Sequence, residues 1–143
     1  MFNSILVVCT GNICRSPVGE QFLRQLIPDI RIDSAGIRGL TGSPADSRAQ
    51  EVAAQLGISL ETHVARRVTP QMIHDYDLIL TMVPDQLNKI SAMVPEARGK
   101  TFLYGQWLGI RDIPDPYCKS YAVFEYVFSI LGRASQEWAQ RLN

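Results

Sequence analysis

Short apolar runs alternate with amphipathic stretches along this chain, and the alternation predicts its secondary structure. Four runs rich in β-branched and aliphatic residues lie at 4–8, 30–34, 78–82 and 101–105. The first after Ser4 and the third, apart from Thr81, are continuous apolar runs, which are typical of strands buried on both faces of a sheet. We therefore predict four strands, with helices or loops between them.

The intervening segments carry apolar residues at helical spacing, together with start and stop signals. Pro17 suits the first position of a helix that has Ser16 as its cap and ends before Pro28. Further helices are predicted over 46–57, from Pro70, from Pro84 to Ile90, and over 119–141.

This order of elements predicts an α/β fold for the whole chain. We expect a single-domain (1–143), doubly wound sheet of about four parallel strands flanked by helices, flavodoxin-like with strand order 2-1-3-4. No internal repeat or linker divides the sequence. In such sheets ligands bind at the carboxyl ends of the strands, so the loop after the first strand is the leading candidate site.

Composition narrows the classes of function. The 143 residues carry 14 Lys+Arg and 14 Asp+Glu, a formal net charge of zero. That balance argues against broad binding of nucleic acid or of a membrane surface. The N-terminus lacks a signal-peptide pattern, and the three cysteines are an odd number. We therefore predict a cytoplasmic protein whose thiols are reduced, without membrane insertion.

The loop after the first strand reads "VVCTGNICRSP" over 7–17. Its two cysteines could form a metal or disulfide motif, or the loop could be an anion-binding turn. Cys9 and Arg15 form a Cys-x5-Arg motif between a buried strand and a helix N-terminus, where backbone N–H groups favour an anion. Gly11 permits the positive φ that a loop around an oxyanion needs, and the Arg15 fork matches two phosphate oxygens.

This pattern favours attack on phosphorus. The positive ends of the N–H groups converge on Cys9 and stabilise a nucleophilic thiolate. No Lys follows Gly11, so the loop lacks the nucleotide P-loop pattern. Asp115, held between two prolines after the last strand, is the best candidate for the proton donor to the leaving oxygen and for the later base. Cys14 is either a packed thiol or a redox partner of Cys9.

Five motifs together resemble a known family. They are "CTGNICRS" (9–16), "SAG" (34–36), "HVAR" (63–66), "DLILTM" (77–82) and "DPY" (115–117). In this order and spacing they are similar to those of low-molecular-weight protein tyrosine phosphatases. "YGQW" and "IPDPY" bring the chain closer to the enterobacterial Wzb/Etp type.

The resemblance implies a protein-tyrosine phosphatase in which Cys9 is the nucleophile, Arg15 clamps the phosphoryl group and Asp115 is general acid and then base. Hydrogen bonds from Asn12, Ser34 and His63 would support the loop. The expected substrate-binding residues are Thr10, Gly11, Asn12, Ile13, Cys14, Ser16, Leu40 and Tyr117. The resemblance implies no metal and no organic cofactor.

The expected partners follow from the same resemblance. They are a phosphotyrosine protein, in particular a bacterial tyrosine kinase linked to capsule or exopolysaccharide production, and phosphate or other oxyanions in the active site. A thioredoxin-coupled arsenate reductase shares the Cys-x5-Arg loop, but 83–100 lacks the relay cysteines. A non-catalytic phosphotyrosine-binding module is the other alternative, although Cys9, Arg15 and Asp115 are all present.

Overall fold

A four-stranded parallel sheet forms the centre of the molecule. The computed structural model describes residues 2–142. Its strands are β1 (Ser4–Cys9), β2 (Arg31–Gly36), β3 (Leu78–Thr81) and β4 (Thr101–Leu103), in the order β2-β1-β3-β4. All six residues of β1 are buried, as expected for a strand with a neighbour on each side and helices on both faces. The predicted fold class and strand order are confirmed.

Helices cover both faces of this sheet. Within residues 2–142 the α-helices are α1 (Arg15–Leu26), α2 (Ser47–Gln55), α3 (Pro70–Asp75), α4 (Pro84–Met93) and α5 (Tyr121–Leu142). None of them is both long enough and apolar enough to cross a membrane.

The side chains of β1 alternate between two cores. Ile5, Val7 and Cys9 belong to the larger core, which α1, α2 and α5 cover. Leu6 and Val8 belong to the smaller core beneath α3 and α4. Because β1 ends between these two layers, the loop that follows it emerges at the carboxyl edge of the sheet, between elements on both faces.

The start of α1 differs from the prediction. The helix begins at Arg15, with Cys14 in the capping position and no side-chain cap, so Ser16 is not its cap. Ser16 is fully buried, and its hydroxyl binds groups of the preceding loop. By contrast, the Asp46 side chain caps α2, where it accepts the Ala49 N–H at 3.1 Å.

Candidate active site

A cavity of about 260 Å³ opens at the carboxyl end of β1, inside the loop that joins β1 to α1. Most of the predicted site residues line it, whereas Asn12 and Ser16 lie behind the loop and are buried. The lining residues are Cys9, Thr10, Gly11, Ile13, Cys14, Arg15, Arg38, Leu40, Asp115 and Tyr117.

The Cys9 thiol lies at the base of this cavity. Its sulfur is 2.9 Å from the Ser16 hydroxyl oxygen, and both residues are buried. Cys9 ends a strand and Ser16 lies in the first turn of α1, so the loop folds back until its two ends meet. A hydroxyl at this distance can donate a hydrogen bond to a thiolate.

The loop reverses direction at Asn12. Its φ is +61°, the left-handed region, whereas Gly11 is not among the residues with positive φ. The expectation that Gly11 supplies the positive φ is therefore wrong. Asn adopts the left-handed conformation more readily than most residues with a side chain, because its short polar group can bond locally.

Four hydrogen bonds hold Asn12 in this conformation. Its side-chain amide nitrogen donates to Ser16 Oγ at 2.8 Å and to Ser34 Oγ at 3.0 Å. Its Oδ1 accepts the backbone N–H of Arg66 at 2.9 Å, and its carbonyl oxygen accepts a hydrogen bond from His63 Nε2 at 2.6 Å. Ser34 and His63, predicted together with Asn12 to support the loop, therefore both make direct contacts with Asn12.

Gly36 lets the end of β2 approach the loop. A Cβ atom at this position would lie 2.4 Å from the Thr10 carbonyl oxygen and 2.9 Å from the Asn12 nitrogen. Only glycine fits so close to another backbone. The glycine of the "SAG" motif therefore allows the contact between β2 and the loop.

The Arg15 side chain crosses the floor of the cavity. One terminal nitrogen donates to the Ile113 carbonyl oxygen at 2.8 Å, and the other lies 3.5 Å from Thr10 Oγ1. Its Nε is buried and has no hydrogen-bond partner within the described residues. A buried guanidinium with an unused donor, lining an open cavity, is suited to an incoming oxyanion.

Asp115 faces Arg15 across the cavity. Its Oδ2 lies 3.7 Å from an Arg15 nitrogen, and its side chain is 51% exposed whereas that of Arg15 is 4% exposed. Its Oδ1 accepts the backbone N–H of Tyr117 at 3.1 Å, which holds the carboxylate at the loop apex. The structure thus brings together Cys9, Arg15 and Asp115, although the first and the last are 106 positions apart in the sequence.

Cys14 is buried beside Cys9, and both are free thiols. Burial raises the pKa of the Cys14 thiol, and the nearby Asp46 and Cys9 raise it further, while Arg15 opposes the rise. Cys14 is therefore neutral at physiological pH. No group of three or more His, Cys, Asp or Glu side chains suited to a metal ion occurs within residues 2–142.

Three residues near the site are not among the predicted site residues. Arg38 lines the cavity from the loop after β2. The Gln86 amide donates to Thr10 Oγ1 at 3.1 Å from the first turn of α4. Arg66, the last residue of "HVAR", is half-buried and donates to the Ser34 carbonyl oxygen at 3.0 Å. Each of these contacts joins segments that are distant in sequence, so no local spacing predicts it.

Comparison with known proteins agrees with this geometry. The family model described as "Low molecular weight phosphotyrosine protein phosphatase" matches residues 4–143. The phosphatase Etp of Escherichia coli K12 is 56% identical over 142 residues, which cover 99% of this chain and 96% of Etp.

Two solved structures share the fold closely. The tyrosine phosphatase Wzb from Escherichia coli K30, in complex with sulphate, has a TM-score of 0.98 and 48% identity, and the match covers all of both chains. Vibrio vulnificus Wzb in complex with benzylphosphonate has a TM-score of 0.96 and 44% identity, with 99% of each chain covered. The chain therefore belongs to the low molecular weight protein-tyrosine phosphatases, a family of cysteine-dependent enzymes.

Proposed function

We propose that the enzyme hydrolyses phosphotyrosine in proteins through a phosphocysteine intermediate on Cys9. The observation that carries this proposal is one cavity that holds a buried thiol, an Arg15 guanidinium with an unused donor, and the Asp115 carboxyl group. A nucleophile, an anion clamp and a proton-transfer group are the parts that a two-step phosphoryl transfer requires.

In the first step the Cys9 thiolate attacks phosphorus. A sulfur–phosphorus bond forms, and the bond between phosphorus and the tyrosine oxygen breaks. The protonated Asp115 gives its proton to the departing oxygen, so tyrosine leaves as the neutral phenol. Arg15 and the backbone N–H groups of the loop bind the phosphoryl oxygens, whose charge they stabilise.

In the second step water replaces sulfur. The Asp115 carboxylate takes a proton from the water molecule, whose oxygen forms a bond to phosphorus. The sulfur–phosphorus bond breaks, its electron pair returns to Cys9, and inorganic phosphate leaves. The Ser16 hydroxyl, 2.9 Å from the sulfur, stabilises the thiolate as it departs.

The walls of the cavity favour an aromatic substrate. Ile13, Leu40 and Tyr117 line it above the loop, and Leu40 and Tyr117 are about half-exposed at its mouth. These side chains can enclose an aromatic ring, while the backbone from Thr10 to Cys14 binds the phosphoryl group.

The protein substrate in this proposal is a bacterial tyrosine kinase, or another protein linked to capsule or exopolysaccharide production. The resemblance to the Wzb/Etp type supports this choice. We place the reaction in the cytoplasm, since Cys9, Cys14 and Cys118 are all free thiols. A substrate-trapping pull-down with Cys9→Ser or Asp115→Ala tests the choice of partner.

Variants at the two reacting groups test the chemistry. With an aryl phosphate as substrate, Cys9→Ser should lower kcat by roughly three orders of magnitude or more. Asp115→Ala should lower kcat by roughly 10²-fold to 10⁴-fold, because the leaving oxygen then departs without its proton. The rate of that variant should also depend steeply on the basicity of the leaving group.

The control variant is Asp112→Ala. Asp112 lies on the same loop as Asp115 but is exposed and does not line the cavity, so its removal should leave kcat within about twofold. An Asp115→Ala enzyme that works at the parent rate would refute the assignment of the acid. Tight phosphopeptide binding without phosphate release would identify a binding module instead, and arsenate-dependent consumption of reduced thioredoxin would identify a reductase.

A further inference from the structure

The proposed chemistry leaves one buried carboxylate near the site without a role. Glu20 lies in α1 and is 7% exposed. Its Oε1 accepts a hydrogen bond from Ser34 Oγ at 2.5 Å, and its Oε2 lies 3.0 Å from an Arg24 nitrogen. Burying a carboxylate costs free energy unless it is paired, so these two contacts account for its presence without requiring a function.

The contact with Ser34 leads to the nucleophile. Ser34 Oγ accepts a hydrogen bond from the Asn12 amide nitrogen at 3.0 Å. The same nitrogen donates to Ser16 Oγ at 2.8 Å, and Ser16 Oγ lies 2.9 Å from the sulfur of Cys9. A continuous chain of hydrogen bonds between buried side chains therefore connects Glu20 to Cys9.

The carboxylate sets the direction of the first link. An ionised carboxylate only accepts hydrogen bonds, so the Ser34 hydroxyl must use its single proton for Glu20. Ser34 Oγ then offers only lone pairs to Asn12, which fits the amide nitrogen and not the amide oxygen. Glu20 therefore selects one of the two orientations of the Asn12 amide.

That orientation decides where the proton of Ser16 goes. With its amide nitrogen directed to Ser16 Oγ, Asn12 donates there, and the Ser16 proton is left for the sulfur of Cys9. The backbone N–H of Arg66, which donates to Asn12 Oδ1 at 2.9 Å, favours the same orientation. If the amide turned over, Asn12 Oδ1 would take the Ser16 proton, and the thiolate would lose its donor.

We propose that Glu20 is a positioning residue of this enzyme, whose carboxylate keeps the Ser16 hydroxyl directed at Cys9 through Ser34 and Asn12. The inference rests on the proposed function, because it takes Cys9 as the nucleophile. Glu20 touches neither substrate nor the reacting atoms. It acts by stabilising the thiolate before the attack and again when sulfur leaves phosphorus.

The charges around Glu20 affect its own ionisation. Burial raises the pKa of Glu20, and Asp33 adds to that rise. The Ser34 hydrogen bond and the charges of Arg24 and His63 oppose it. A test of Glu20 must therefore separate the hydrogen bond to Ser34 from the ion pair with Arg24.

The test measures the reactivity of the Cys9 thiol against pH. Alkylation by iodoacetate is followed at Cys9 in a Cys118→Ser background, since Cys118 is the exposed cysteine. Glu20→Leu, which keeps the size but has no acceptor, should move the profile about one pH unit higher, since a hydrogen bond to an ionised group changes an equilibrium roughly tenfold or more. In the same variant kcat should fall about tenfold, while KM changes less than about twofold.

Two matched variants separate the hydrogen bond from the charge. Glu20→Gln keeps an oxygen acceptor for Ser34 and should recover most of the lost rate. Arg24→Gln removes the ion pair with Glu20, together with the Arg24 bonds to Asp33 and to the Ile32 carbonyl oxygen, but leaves the Ser34 bond in place, so it should show the parent profile. An unshifted profile in Glu20→Leu overturns the proposal, and so does a shift of equal size in Arg24→Gln.

Ser34→Ala keeps the proposal testable if Glu20→Leu does not fold. It should produce the same shift alone, and adding Glu20→Leu should move the profile no further, because both changes act through one link. A larger shift in the double variant than in Ser34→Ala would overturn the proposal. Alkylation measures the reactivity of the sulfur directly and does not depend on turnover. A failure of the Glu20 proposal can therefore be told apart from a failure of the proposed function, which would appear as turnover by Cys9→Ser.

Discussion

Asn12 shows how a single residue holds the loop in shape. Its left-handed φ costs free energy. Four hydrogen bonds between Asn12 and other segments offset this cost. An alanine there would lose the side-chain bonds and keep the unfavourable φ. The loop therefore depends on this side chain as much as on the residues that line the cavity.

Gly19 is a second position where one atom decides the packing. A glycine inside a helix costs about 1 kcal/mol relative to alanine. A Cβ atom here would lie 3.1 Å from the ring and from the hydroxyl oxygen of Tyr104. Tyr104 is fully buried, and its hydroxyl bonds to the Gly19 carbonyl oxygen and to Ser135, so it has little freedom to move.

We therefore expect Gly19→Ala to destabilise the protein by about 1 kcal/mol, because overpacking exceeds the gain in helix propensity. Urea unfolding measures this difference. Gly99→Ala is the control: no atom lies within 4 Å of its added Cβ, so its effect should stay within about 0.5 kcal/mol. A Gly19→Ala protein more stable than the parent would contradict the steric interpretation.

At the scale of elements, α2 holds the segment that carries Asp115. Arg48 of α2 donates to the Lys119 carbonyl oxygen, and its guanidinium lies over the Tyr121 ring at 5.0 Å. The Tyr121 hydroxyl donates to Glu51, also of α2. These contacts fix the start of α5, and with it the end of the loop around Asp115.

Removing the Arg48 contacts should affect proton transfer from Asp115 more than substrate binding. We expect Arg48→Ala to lower kcat about twofold to threefold for substrates with poor leaving groups, with KM unchanged, because exposed contacts of this kind contribute only about 0.5 kcal/mol. Steady-state kinetics over a series of aryl phosphates measures the effect.

Lys89→Ala supplies the comparison for Arg48→Ala. It removes an exposed ion pair with Asp85 on α4, so it should leave kcat unchanged. Equal kinetics in both variants would show that α2 does not position the Asp115 segment.

At the scale of the whole molecule, one charged cluster joins several elements. Asp33 of β2 accepts hydrogen bonds from the Tyr76 hydroxyl at 2.6 Å, from Arg31 at 3.0 Å and from Arg24 of α1 at 3.1 Å. Burial alone would raise the pKa of Asp33, but the bonds from Tyr76 and Arg31 and the arginine charges lower it below 3.8.

The sign of this shift gives a pH dependence. A carboxyl group with a lowered folded pKa contributes stability above its unfolded pKa, near 3.8, and loses it as the pH falls through the lowered value. Asp33→Asn should therefore be less stable than the parent at pH 7, and the difference should narrow below about pH 3.8. Urea unfolding of both proteins at pH 7 and below about pH 3.8 measures this difference in stability. A difference that stays the same at the two pH values would contradict the linkage.

The sequence by itself determined the order of strands and helices and the candidate reacting residues. Local patterns encode these features: a continuous apolar run produces a buried strand, and Cys-x5-Arg after such a strand places both residues at the carboxyl edge of a parallel sheet. Asp115, after the last strand, reaches the same edge for the same reason.

Only the tertiary structure decided how that edge is organised. It placed the positive φ at Asn12 and not at Gly11, and directed Ser16 to Cys9 instead of to the helix end. It also connected Glu20 to the loop. These outcomes depend on contacts between segments that are distant in sequence, where packing decides which polar groups meet, and no local spacing records such contacts.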